Sequence, residues 1–257
     1  MNDSVTKTLG VAFVICLVCS LVVSFAAVSL RDIQKENATN NQSIKILQAA
    51  KIYDKSIDVK TQFSKLEMKY VDFNTGKILD SYGDFVIEEY DQLKSTRDPN
   101  LSTSIGASDD IAIIKNRENV GKFFIVRNDD LTIDKLILPI RGYGLWGTLY
   151  GYMAIEEDFN TVAGLEFYDH KETPGLGAEV DNPRWKAMWP GKKIYKNDEV
   201  KLTVIKGKVQ NDDANNDYKV DGLSGATLTS RGVTNMITYW FGDSGYSKLF
   251  KELNYES

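Results

Sequence analysis

The sequence predicts an α+β protein, with one N-terminal transmembrane helix followed by a mixed α/β soluble domain. Three observations carry this. Leu9 to Leu30 contains no charged residue. Beyond it, short apolar or alternating runs recur between turn signals, as strands do. Near the C-terminus the spacing turns helical over Leu228 to Phe241, with Val233, Met236, Ile237, Trp240 and Phe241 on adjoining faces. Mixed strands with few helices define the α+β class.

At about 1.5 Å rise per residue, the apolar run spans roughly 30 Å of hydrocarbon. Lys7 precedes it, and Arg31 and Asp32 close it. A cleaved signal peptide is the rival reading, with Ala27-Val28-Ser29 as a small-residue site. The run exceeds the usual apolar core of such peptides, about 7–15 residues, which favours the helix. Orientation is barely decided, because Arg31 and Lys35 on one side are diluted by Asp32 and Glu36. Cys16 and Cys19 share a face of this helix. They read as small apolar fillers in preference to a C-x-x-C redox pair.

The expected organisation is a tail at 1–8, the transmembrane helix at 9–30, a juxtamembrane stalk and first soluble part at 31–135, the main domain at 136–245 and a tail at 246–257. Within the stalk, Ile44, Leu47 and Ala50 keep helical spacing. Leu66 to Leu79 alternates around Asn74-Thr75-Gly76, a hairpin signal. Residues 81–109 are mixed and acidic, with a turn at Asp98-Pro99-Asn100. Ile111 to Ile114, Phe123 to Val126, and Leu136 to Ile140 (the last capped by Pro139) read as buried strands. Leu149 to Ile155, Val162 to Tyr168 and Val200 to Val209 complete the set. Trp185 to Trp189 reads as a short helix ended by Pro190-Gly191, and 211–217 as a polar loop.

Composition removes several function classes. The chain has 257 residues, a net charge of −5 and no Lys/Arg cluster, so no nucleic-acid partner is expected. Its two cysteines lie in the apolar run. The soluble part therefore has no disulfide and no Cys-ligated zinc or iron–sulfur site of its own. One histidine, His170, excludes a multi-His metal site, and no metal is expected. The chemistry is narrowed to what a bound cofactor would carry.

Three patterns remain. Gly142-Tyr143-Gly144-Leu145-Trp146-Gly147 fits G-x-G-x-x-G. The next residues, Thr148 to Ile155, alternate like a strand, whereas a dinucleotide site needs a helix there. A glycine-rich bend, or a close backbone approach to a flat ligand beside Trp146, remains open. His170 to Gly177 is a tight loop around Pro174-Gly175, either a surface turn or a ligand-facing one. Asp221-Gly222-Leu223-Ser224-Gly225-Ala226-Thr227 leads straight into the helix from Leu228. Small residues there let amides close on an anion at a helix N-terminus. Ser224, Thr227, Thr229 and Ser230 are equally ordinary capping residues.

The last segment resembles the flavinylation motif of the FMN-binding domain family. The resemblance implies that Thr227 is esterified to the phosphate of a covalent FMN, installed from FAD by a separate flavin transferase. With the His170–Gly177 loop, the Gly142–Gly147 segment and the apolar helix, nearly the whole chain resembles the C subunits of sodium-translocating NADH:quinone reductases. The G subunits of Rnf-type ferredoxin:NAD oxidoreductases share the motif but are typically shorter in the middle, and rank second. By this matching, Leu145 and Trp146 lie near the flavin ring and Glu172, Thr173, Leu176 and Gly177 line the pocket. Ser224, Gly225 and Ala226 hold the phosphate, and Asp221 and Gly222 complete the motif. Lys206 is either a partner for phosphate or reduced flavin or a solvated strand lysine, and His170 reads as a structural turn residue in preference to a proton donor.

The resemblance also implies an electron-relay role, five partner subunits (A, B, D, E and F) and a flavin domain on the periplasmic side of a bacterial inner membrane. A single helix without a polar ionised residue offers no sodium path, so pumping falls to the partners. A membrane-anchored module holding flavin or phosphate without a covalent bond is the rival of another class.

Overall fold

Alternation and turn chemistry decide most of the elements. The structure, a computed structural model, describes residues 4–79, 90–210 and 212–256. The chain divides into two units, 1–42 and 43–257. Helix α1 (Val5–Ala49) accounts for the first up to Gln42. Among the described residues it is the one helix long and apolar enough to cross a membrane.

The second unit begins with the last turns of α1, where Ile46, Leu47 and Ala49 are buried. Helix α2 (Val59–Phe63) is capped by Asp58, whose carboxylate accepts from the Thr61 amide. Strands β1 (Glu67–Asp72) and β2 (Ile78–Leu79) form the expected hairpin. Its turn places Gly76 at φ 84°, where a side chain would be strained. Then come α3 (Gln92–Ser95) and the small pair β3 (Ser102–Ser104) and β4 (Asn116–Glu118). The long strands follow as β5 (Val120–Arg127), β6 (Ile133–Tyr143), β7 (Thr148–Glu156) and β8 (Val162–Asp169). Short elements lead to the C-terminus: α4 (Pro183–Lys186), β9 (Tyr195–Lys196), β10 (Glu199–Val200), β11 (Thr203–Val204), β12 (Lys219–Val220), α5 (Thr227–Phe241) and α6 (Ser247–Glu256).

Six strands form one antiparallel sheet in the order β2-β1-β5-β6-β7-β8. Because side chains alternate across a strand, each face carries its own core. Leu136, Leu138, Met153 and Leu165 pack on one face against Val233, Met236 and Trp240 of α5 and Leu249 and Phe250 of α6. On the other face, Ile137, Ala154 and Ala163 meet Ile46 and Ala49 from the end of α1. Each fully buried large side chain stabilises the fold by roughly 1.5–3 kcal/mol relative to exposure. The short parallel pair β11–β12 stands just before α5 and aims the intervening loop at the helix N-terminus.

Several expectations are corrected. Ile111 to Ile114 is a turn, not a strand. The Asp110 carboxylate takes the Ile114 and Lys115 amides at 2.8 and 2.7 Å, which forces Ile113 to φ 54°. Val200 to Val209 is not one strand. β10 ends at Val200 and β11 covers only Thr203–Val204, where the Val204 amide donates to the Thr234 hydroxyl at 2.9 Å, before the chain bends through Gly207 at φ 84°. Pro139 does not end its strand. β5 pairs with β6 only as far as Ile137, so the proline, lacking an amide hydrogen, sits where β6 has β7 alone as partner. No boundary falls at 135/136, since β5 pairs with β6 across it. Residues 246–257, expected as a tail, contain α6, which buries Leu249, Phe250 and Leu253. The mixed stretch 81–109 lies partly outside the described residues, as does position 211 of the polar loop.

Candidate functional site

The loop between β12 and α5 is shaped by its glycines. Leu223 to Ala226 makes a turn in which the Ala226 amide donates to the Leu223 carbonyl at 3.1 Å. Gly225, at φ 72°, takes the left-handed third position. A Cβ on Gly225 would lie 2.9 Å from Leu176 Cδ2, and one on Gly222 would strike the Ile205 carbonyl. Asp221 steadies the loop from below. Its carboxylate accepts the Val209 amide and its carbonyl accepts the Trp185 indole N–H, both at 2.8 Å.

Helix α5 starts at Thr227 with Ala226 as N-cap, and no side chain caps it. The expected capping hydroxyls are committed elsewhere. Ser230 Oγ accepts the Leu223 amide at 3.0 Å, and the Thr229 hydroxyl donates to Glu172 Oε2 at 2.5 Å. The first amides of α5 thus stay open at the positive end of the helix dipole. Thr227 and Ser224 are exposed beside them, on a cleft of about 770 Å³. The exposed cations Lys206, Lys208 and Arg231 also line this cleft. Lys206 lies in the bend after β11, not in a strand.

The other expected residues gather at one buried carboxylate. The bend between β6 and β7 closes through the Gly144 amide and Gly147 carbonyl at 2.8 Å. Glu172 Oε1 accepts the next two amides, Leu145 at 2.9 Å and Trp146 at 3.0 Å. Burial raises the Glu172 carboxyl, but the Thr229 hydroxyl, the Trp146 and Leu145 amides and His170 outweigh it and hold the group below its ordinary value. Gly177 backs directly onto this carboxylate, where a Cβ would strike it. Thr173 acts through its carbonyl, which accepts the Leu176 and Ala178 amides and closes the Pro174-Gly175 turn. His170 ties the loop down. Its Nδ1 accepts the Glu172 amide at 3.3 Å and its Nε2 meets Asp181 at 2.9 Å.

Leu176 links the two groups, since it touches the space over Gly225. Leu145, Trp146 (64% exposed) and Leu176 (44%) offer open apolar surface near the α5 N-terminus, and Leu228 in the first turn of α5 is exposed as well. The places of Thr229, Lys208, Arg231 and Leu228 in this site were not read from the sequence. The available signal was helical spacing, because Arg231 follows Thr227 by four residues and shares its face.

Open amides, three cations and a free hydroxyl suit a phosphate, and the neighbouring apolar surface suits a flat ring. The relatives of the chain agree with that class of site, since residues 144–242 match the FMN-binding domain family. The C subunit of the Na(+)-translocating NADH-quinone reductase from Pseudomonas aeruginosa is 44% identical over 257 residues, covering 98% of this chain and 97% of that one. The crystal structure of Shewanella oneidensis NqrC superposes with a TM-score of 0.75 at 32% identity, covering 85% of this chain and 99% of that one. The corresponding C subunit from Parabacteroides distasonis gives 0.63 at 30% identity, covering 86% and 96%. The chain belongs to the family of Na(+)-translocating NADH-quinone reductase C subunits.

Proposed function

We propose that this chain is the electron-relay subunit of a Na(+)-translocating NADH-quinone reductase, carrying FMN as a phosphoester on Thr227. One observation carries the reading: the Thr227 hydroxyl is exposed at an uncapped helix N-terminus, on a cleft with three cations. Bound FMN would supply reversible electron uptake. The chain's own residues do the rest. The α5 amides with Lys206, Lys208 and Arg231 would hold the phosphate, Ser224 and Gly225 would shape the loop around it, and Leu145, Trp146 and Leu176 would offer the ring an apolar surface. NADH oxidation belongs to a partner, because the Gly142–Gly147 bend runs into strand β7 and not into the helix a dinucleotide site requires.

In this reading the A, B, D, E and F subunits supply the remaining redox centres and the sodium path, and a flavin transferase matures the chain. Helix α1 anchors it once in a bacterial inner membrane, with the flavin domain in the periplasm. Co-production with a flavin transferase tests the covalent claim. Flavin absorbance is expected to stay with the polypeptide through denaturation and gel filtration. Flavin that elutes free would leave only a non-covalent module.

The anchor is tested separately. A chain shortened to begin at Ser43 keeps the turns of α1 that bury Ile46, Leu47 and Ala49. It is expected in the soluble fraction with its flavin. Recovery in the membrane fraction would contradict anchoring by the apolar segment.

A further inference from the structure

We infer that Glu172 is the positioning residue that joins the Trp146 bend to helix α5, and that its charge lowers the midpoint potential of a flavin on Thr227. The second half rests on the Thr227 reading; the first does not.

Three segments distant in sequence meet at this one carboxylate. The Gly144–Gly147 bend offers two consecutive amides to Oε1, and the first turn of α5 offers the Thr229 hydroxyl to Oε2. The carboxylate itself comes from the His170–Gly177 loop. Glu172 is 6% exposed, so its partners lose water as it does. The fit is close on two sides: a Cβ on Gly144 would lie 2.5 Å from Oε1, and one on Gly177 would collide with Oε2. Two glycines at these points make room for the carboxylate.

The location matters more than the number of bonds. One arm ends on Trp146, the exposed aromatic of the site, and another on Thr229, two residues after Thr227. Dipoles, and no ion pair among the described residues, satisfy Glu172. Its negative charge is therefore not neutralised by a salt bridge, although His170 lies near it. A fixed negative charge opposes further negative charge nearby, so it makes a neighbouring flavin harder to reduce.

Charge and geometry separate experimentally. In Glu172→Gln the amide oxygen accepts both backbone amides and the NH2 donates to Thr229 Oγ1, keeping the bracket without the charge. Glu172→Ala removes both. The full chain is made without flavin transferase for acrylamide quenching of tryptophan fluorescence, and with it for a spectroelectrochemical titration. Trp146 dominates quenching because Trp185, Trp189 and Trp240 are buried.

Glu172→Gln is expected to quench like wild type and to show an upward shift of the midpoint potential. Glu172→Ala is expected to quench more strongly than wild type. A wild-type potential in Glu172→Gln would overturn the charge role, and wild-type quenching in Glu172→Ala would overturn the bracket. A wild-type chain that takes up no flavin would overturn the Thr227 reading instead, and the quenching comparison would still decide the bracket.

Discussion

Thr227→Ala is expected to abolish denaturant-resistant flavin while leaving the fold intact. The side chain is exposed at the first residue of α5 and caps nothing. Alanine is the best helix former, so stability should move by no more than about 0.5 kcal/mol. Thr227→Ser, which keeps a hydroxyl at the same atom position, should retain flavin. Ser224→Ala should retain it too, because Ser224 lies in the turn before the helix and its hydroxyl is not the proposed attachment point. In-gel flavin fluorescence after denaturation reads all three, with circular dichroism melts as the folding control. Flavin that survives in Thr227→Ala would move the attachment to another hydroxyl of the loop.

The largest stability effect is expected at a buried ion pair on β6. Arg141 and Glu118 form a buried bidentate pair, Nη1 to Oε1 at 2.8 Å and Nη2 to Oε2 at 2.5 Å, with Glu118 fully buried. Gln92 Nε2 also donates to Oε1 at 2.5 Å, and the guanidinium lies 5.2 Å from the Trp240 ring centroid. Arg141→Met strands a carboxylate in the core and should cost about 3–5 kcal/mol. Combining it with Glu118→Gln removes the stranded charge and should recover much of the loss. Urea unfolding of the two variants measures this. A single variant within about 1 kcal/mol of wild type would mean that water reaches Glu118.

Legibility in the sequence followed the range of the interactions. The Asn74-Thr75-Gly76 hairpin and strands β6, β7 and β8 could be read because alternation and turn residues act locally. Helix α5 could be read because its apolar spacing is regular. Ile111 to Ile114 misled because four apolar residues resemble a strand, while one aspartate just before them takes the amides a strand would need. The Gly222–Gly225 loop was visible as small residues before a helix. That it is uncapped was not, because Ser230 turns back to Leu223 and Thr229 reaches Glu172, 57 residues away in sequence. Glu172 itself entered through family resemblance. Nothing in the spacing indicates that it gathers the Leu145 and Trp146 amides.

Peptide mapping of the chain co-produced with a flavin transferase decides whether Thr227 carries the flavin. Trypsin should release Val220 to Arg231, which contains the hydroxyls of Ser224, Thr227, Thr229 and Ser230. This peptide is expected to be heavier by one FMN less water, with fragment ions placing the addition on Thr227. An unmodified peptide, or fragment ions placing the flavin on Ser224, Thr229 or Ser230, would contradict attachment at Thr227.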